Sequence, residues 1–356
     1  MPKIVSPKKL NDLKNSVVRI ILAVIIIGVP LFTIQTPYMY EAPANCTDAS
    51  TLVNVSNSGR ESLRDRFFVA TVSYYRANLF LFLKGLLLPQ AELTPIPDTN
   101  IKIYISEKKR KQNEQNKMEE SQLFAHIAAL RAMGYNIEFE KSPVIVTQVF
   151  SWGDARNKLE VGDKILEIDR RKVENNSDLF LGPSKYRIGN SVTLKIDRNG
   201  KILEKNVKLT LVEERLLIGI SAGSKLKGFK SPFRIDYNVD NIQGTSAGLM
   251  FALEIIKQIS GVDMTGGKKI AGTGVIYEDG DVYPIEGVKH KIKAAEAKNM
   301  DYFLVPSENY KEAKKTATRL QVIPVDNLNG ALKAIKKINP SVNLDFSHPS
   351  ALKEEN

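Results

Sequence analysis

The sequence predicts a multidomain chain: an N-terminal transmembrane helix, a small β-rich domain, and an α/β (α+β) domain toward the C-terminus. Three observations predict it. One apolar run is nearly unbroken from Val17 to Ile34; short strand-like segments between about residues 134 and 213 are separated by Gly-Asp and Asn-Gly turns; and strand and helix patterns alternate from residue 230 to 338. A length of 356 residues suffices for two or three domains. With 43% apolar and 26% charged residues, the chain is not a collagen, a wholly disordered protein or a polytopic membrane protein.

The run VVRIILAVIIIGVPLFTI (17–34) would span about 27 Å as a helix, close to the hydrocarbon thickness of a bilayer. Lys3, Lys8, Lys9, Lys14 and Arg19 precede or enter it, so the positive-inside bias puts the N-terminus in the cytoplasm and the residues beyond the helix outside. Ala42-Pro43-Ala44 also fits the cleavage site of a secretory signal, but it lies well beyond Ile34. Tyr38 and Tyr40 suit interfacial anchors, which makes an uncleaved anchor the preferred reading. Cys46, the single cysteine, excludes an intrachain disulfide and a cysteine metal cluster. His126, His290 and His348 are too far apart for a histidine-built site, so neither a metal nor a cofactor is expected.

The balance of 51 Lys+Arg against 40 Asp+Glu gives +11. The densest basic stretch, Lys108-Lys109-Arg110-Lys111, lacks the interleaved aromatics that stack bases, which argues against nucleic acid as a partner. In residues 36–100, the strand-like Phe67–Tyr74 and the apolar Leu79–Leu88 read as a small β-rich region next to the membrane. Residues 106–133 hold no Pro or Gly and place Leu123, Ile127 and Leu130 at helical spacing, predicting a long helix that stops at Gly134. Strands follow at Pro143–Phe150, Lys164–Asp169 and Ser191–Asp197, with a short helix at Ala155–Leu159. After residue 230 come a strand at Phe233–Val239 and a helix from about Ala247 to Ile259.

The chemistry concentrates in two segments. In Gly244-Thr245-Ser246-Ala247-Gly248 a serine sits between small residues at a helix start, where its hydroxyl is accessible and the amides of the first helical turn can stabilise an oxyanion. Taken alone, these residues fit an ordinary N-cap serine better than a nucleophile. A nucleophile needs a base, and a lysine serves if burial lowers its pKa. In the helix predicted after Gly287, Val288, Ile292 and Ala295 form the apolar stripe; Lys291 lies on it, while Lys289 and Lys293 project to the other side.

These segments carry two family resemblances. Gly162-Asp163-Lys164-Ile165-Leu166-Glu167-Ile168-Asp169, after a strand and short helix, resembles a bacterial PDZ domain. That likeness implies a carboxylate-binding loop at Gly134, Tyr135, Asn136 and Ile137, whose amides would hold a peptide C-terminus. Gly244–Gly248, Ala271-Gly272-Thr273-Gly274, Gly280–Ala295 and Phe303–Asn309 resemble, in order, the proteolytic domain of Lon-type serine peptidases. Here Thr245 stands where many relatives have proline, and Glu286 where glycine is common. The resemblance implies Ser246 as nucleophile, Lys291 as base and Thr273 orienting the amine, with Gly244 and Thr245 supporting the turn. With the anchor, the chain resembles the PDZ-containing, membrane-anchored Lon-like peptidases of bacteria. The expected organisation is a basic tail (1–16), an anchor (17–35), a membrane-proximal region (36–133), a PDZ-like domain (134–213), a proteolytic domain (214–340) and a C-terminal tail (341–356).

The function expected is ATP-independent cleavage of unfolded or flexible polypeptides outside the cytoplasmic membrane. The phosphate-loop lookalike Gly261–Lys269 has an extra glycine and no Ser or Thr after its lysine, and reads as a turn. The expected partners are polypeptide substrates and the lipid bilayer; a homo-oligomer is compatible with the sequence. The alternative from another class is a catalytically silent scaffold that binds peptide termini.

Overall fold

The computed structural model describes residues 7–56, 66–96, 107–138, 140–150, 152–174, 176–179, 186–212, 215–224, 226–227, 229–239, 242 and 244–346. Helix α1 (Pro7–Thr33) leads into strands β1 (Gln35–Asp48) and β2 (Arg66–Asn78), helix α2 (Leu79–Leu87), strand β3 (Glu92–Pro95) and helix α3 (Glu107–Ala132). Strands β4 (Val144–Val149), β5 (Lys164–Ile168), β6 (Ser191–Arg198), β7 (Lys201–Lys208) and β8 (Ile220–Gly223) follow. The remainder comprises α4 (Gly248–Ser260), β9 (Lys269–Gly272), α5 (Val288–Ala297), β10 (Tyr302–Pro306), α6 (Tyr310–Thr316), β11 (Gln321–Val325) and α7 (Leu328–Ile338).

The chain forms two compact units. The first gathers Met1–Pro97, Glu114–Ala129 and Asp236–Asp345, and the second Asp98–Asn113, Leu130–Ile235 and Phe346–Asn356, so the main stretch of the second unit is inserted in the sequence of the first.

The sheet of the first unit has the order β11-β10-β9-β2-β1-β3. Its β9, β10 and β11 are parallel, β9 pairs in parallel with β2, and β1 pairs antiparallel with both β2 and β3. This differs from a membrane-proximal region (36–133) standing apart from residues 214–340. The reason lies in β2, where Phe67, Phe68, Val69 and Ala70 are all buried. The backbone of a buried strand must pair its N–H and C=O groups along both edges, and β1 and β9 supply those partners. Leu79–Leu88, expected within a β-rich region, is helical over Leu79–Leu87. The segment has no β-branched residue, and the Asn78 side chain accepts the Leu81 N–H at 2.8 Å, an N-cap. Tyr40, expected as an interfacial anchor, is 4% exposed, packed within the sheet with the Lys84 ammonium 5.8 Å above its ring.

The second unit holds an antiparallel sheet in the order β7-β6-β5-β4-β8. Alternation along β6 turns Val192, Leu194 and Ile196 inward against Val144, Val146, Ile165 and Ile168. The Gly162-Asp163 turn is pinned because Asp163, 1% exposed, takes a bidentate pair of bonds from Arg198, Nε to Oδ1 at 2.7 Å and Nη2 to Oδ2 at 2.8 Å. Burial alone would raise this carboxyl; Arg198 and the Glu160 amide hold it below the usual range. The short helix expected at Ala155–Leu159 is a 3-10 turn over Asp154–Asn157.

Candidate active site

The turn into α4 places Ser246 outside the helix. Gly244 has φ +86°, and the N-cap is Ala247, with no side-chain cap bond, so the Ser246 hydroxyl is not engaged in capping. The turn is clamped from three sides. Ser121 Oγ donates to Thr245 O at 3.1 Å, the Gly274 amide donates to Ser246 O at 2.9 Å, and Thr273 Oγ1 donates to Ser246 O at 2.9 Å. At Gly248 a Cβ would lie 2.8 Å from Ile276 Cγ2, so only glycine lets α4 start this close to its neighbour. Of the first-turn amides that the sequence offers to an oxyanion, two are taken: Gly248 N–H donates to Thr245 O and Leu249 N–H to Gly274 O. Among the described residues the amides of Ser246 and Ala247 have no acceptor.

Helix α5 begins after Gly287, with Val288, Ile292 and Ala295 buried on one side and Lys291 buried with them at 4% exposure. The loop before it is held by Asn309, which accepts the Ile285 N–H at 2.8 Å and donates to Ile285 O at 3.0 Å. Lys289 is half exposed. His290 faces away toward Glu92, its Nε2 3.6 Å from the carboxylate, so it does not compete as a base for Ser246.

Lys291 Nζ lies 2.7 Å from Ser246 Oγ, 3.1 Å from Thr273 Oγ1 and 3.1 Å from Ala70 O. Donor and acceptor accounting then fixes the direction of each bond. Ala70 O can only accept, and the single Thr273 hydroxyl proton is already given to Ser246 O, so Thr273 Oγ1 can only accept from the lysine. As the ammonium, Lys291 donates to all three oxygens; once it is neutral, its two N–H groups suffice for Ala70 O and Thr273 Oγ1, which frees the lone pair to accept the Ser246 hydroxyl proton. Burial lowers the Lys291 pKa to about 8. The nearby Cys46 thiol opposes this shift only in part, since its own burial pushes it up to about 12.

Residues 241–337 match the family model of the Lon protease (S16) C-terminal proteolytic domain, and residues 131–209 match that of the PDZ domain. The chain carries a PDZ domain and a Lon-type proteolytic domain. It is similar to a Lon protease of Rhizobium meliloti, 31% identical over 115 residues, covering 31% of this chain and 14% of the relative. An archaeal Lon protease of Archaeoglobus fulgidus is 28% identical over 99 residues, covering 27% and 16%. A Lon protease of Fervidobacterium nodosum is 21% identical over 294 residues, covering 79% and 36%. The chain thus spans well under two thirds of the length of these relatives. A solved structure of the PDZ domain of an SdrC-like protein from Listeria monocytogenes matches at 26% identity and TM-score 0.20, covering 22% of this chain and 86% of that one.

The Lon-type fold brings Ser246, Lys291 and Thr273 together, with Gly244 and Thr245 in the turn that presents the serine. In the PDZ-bearing unit, Gly134 N–H donates to Arg131 O and Tyr135 N–H to Leu130 O, both at 3.0 Å, closing the end of α3. The Tyr135 ring meets Phe233 edge-on at 5.6 Å and Ile137 is buried. Sequence reasoning missed Ala70, Ser121 and the bridging role of Asn309. The only available signal was the doubly buried character of FFVA in β2.

Proposed function

We propose that the chain is a membrane-anchored serine endopeptidase that cleaves unfolded or flexible polypeptides without ATP, using Ser246 as nucleophile and Lys291 as general base. The observation that carries this reading is the 2.7 Å approach of Lys291 Nζ to Ser246 Oγ inside a buried cage of acceptors. Ser246 Oγ attacks the scissile carbonyl carbon while its proton passes to the Nζ lone pair. The amides of Ser246 and Ala247 receive the oxyanion, and the lysine ammonium then protonates the leaving amine. Water hydrolyses the resulting serine ester with Lys291 again as base, which restores both groups.

Three features support the rest of the reading. The Gly261–Lys269 turn follows the C-terminus of α4 and leads into β9, the reverse of the strand-to-helix order in which a phosphate loop presents its amides. The apolar part of α1, Ser16–Thr33, is long enough to cross a bilayer. Ala42 and Pro43 are paired with Ser73 and Val72 in the sheet, so cleavage at Ala44 would cut β1 within its ladder and argues for an uncleaved anchor. The PDZ domain is assigned to substrate recognition or regulation. The test is digestion of an unfolded model protein by the full chain in detergent without nucleotide, beside Ser246→Ala. Cleavage only by the unsubstituted chain is expected. Equal cleavage by Ser246→Ala would refute the nucleophile, and a requirement for ATP would refute the autonomous mechanism.

A further inference from the structure

Helix α2 buries none of its nine residues, although LFLFLKGLL holds one charge. One side faces its own unit: Phe82 packs on Tyr38 with ring centroids 5.0 Å apart, and at Gly85 a Cβ would lie 2.7 Å from the Leu93 side chain. The other side carries Phe80, Leu83 and Leu87 at i, i+3 and i+7, with Leu86 beside them. These are 40%, 44%, 81% and 65% exposed, an apolar stripe of a kind that soluble surfaces avoid.

Where α2 sits along the chain identifies what covers it. Its first amide, Leu79 N–H, donates to Ile34 O at 2.9 Å; Asn78 Nδ2 donates to Phe32 O at 3.3 Å; and the Phe80 ring lies 5.1 Å from that of Phe32. Thus α2 starts at the outer end of α1, at the depth where a membrane-spanning Ser16–Thr33 would leave the hydrocarbon. The one charge, Lys84, is turned back over Tyr40 rather than out along the stripe. We propose that α2 lies in the outer lipid interface, with Phe80, Leu83, Leu86 and Leu87 buried among acyl chains as a second membrane contact for the proteolytic domain. This rests on α1 spanning the bilayer. A nine-residue helix is too short to span, and an apolar face continuous with an anchor is the geometry of an interfacial helix. The contact would fix the tilt of the β1–β2 part of the sheet, and so of Ala70 and the site, relative to the membrane surface.

The experiment uses the full chain in phosphatidylcholine vesicles, with Cys46 exchanged for alanine and one environment-sensitive dye attached at either Val24→Cys or Leu87→Cys. Brominated lipids report acyl-chain contact and aqueous iodide reports exposure. The proposal expects both dyes to lose most of their fluorescence to brominated lipid and little to iodide. If the dye at 24 is quenched by lipid while the dye at 87 is quenched only by iodide, α1 spans but α2 does not touch the bilayer, and the inference is overturned. Protection of position 87 from both quenchers, with disulfide formation between unlabelled Leu87→Cys chains, would mean that a second copy covers the stripe, which also overturns it. Absence of lipid quenching at position 24 would refute the anchor itself and this inference with it.

Discussion

The turn entering α4 and the turn leaving α3 each hold a glycine at φ +86°, Gly244 in one and Gly134 in the other, yet they treat their amides in opposite ways. A helix N-terminus has N–H groups left over, whereas a C-terminus has carbonyls left over and draws in the amides that follow it. Accordingly Ser246 and Ala247 keep amides without acceptors among the described residues, while Gly134 and Tyr135 give theirs to Arg131 O and Leu130 O. Glycine-led turns of similar composition are therefore suited to different tasks. The first can receive a developing oxyanion, and in the second, among the described residues, the Asn136 and Ile137 amides are left for a carboxylate.

The largest expected effects break the first turn chemically. Ser246→Ala and Lys291→Arg should each lower kcat by roughly three orders of magnitude or more, since an arginine retains charge but offers no lone pair. Lys289→Arg, on the half-exposed side of α5, should leave turnover within about twofold. Steady-state cleavage of a peptide substrate checks all three, and an active Lys291→Arg would remove the lysine from the mechanism.

Thr273→Val should reduce kcat by about 10- to 100-fold, because it deletes one acceptor of the lysine and the donor that holds Ser246 O, at about 1.5–3 kcal/mol for bonds to a charged group. Correct folding of the variant, checked by its melting curve, separates this from collapse of the turn. A loss as complete as that of Ser246→Ala would make Thr273 more than a positioning residue.

Turnover should rise with pH around a midpoint of about 8, because the ammonium form of Lys291 has no lone pair and only the neutral amine accepts the serine proton. A profile that is flat from acid to alkaline solution would exclude a titrating lysine base.

The smallest effect belongs to the second turn. Titrated into the Ser246→Ala chain, peptides with a free C-terminal carboxylate should bind weakly and no more than about tenfold tighter than their amidated forms, since only two amides remain to hold the carboxylate. Equal affinity for both forms would leave the 134–137 loop with the single task of ending α3.

What could be read from the chain is what depends on local repetition. The period of a helix is set by neighbours three and four residues away, so Val288, Ile292 and Ala295 alone place Lys291 on the buried side of α5. Strands β4, β5 and β6 are legible for the same reason, since each alternates on its own and is bounded by turn residues. By contrast, sheet partners are chosen across long sequence separations. Nothing near Phe67 or Ala70 says that β2 will run parallel to β9, or that the Ala70 carbonyl will complete the cage of a lysine 221 residues away. The same non-local choice joined the membrane-proximal strands to the proteolytic sheet, with the PDZ-bearing residues inserted between them. Composition and periodicity determined the serine turn and the inward lysine. Only the tertiary structure decided the direction of the lysine's lone pair, because that direction depends on two acceptors, Ala70 O and Thr273 Oγ1, brought by different strands.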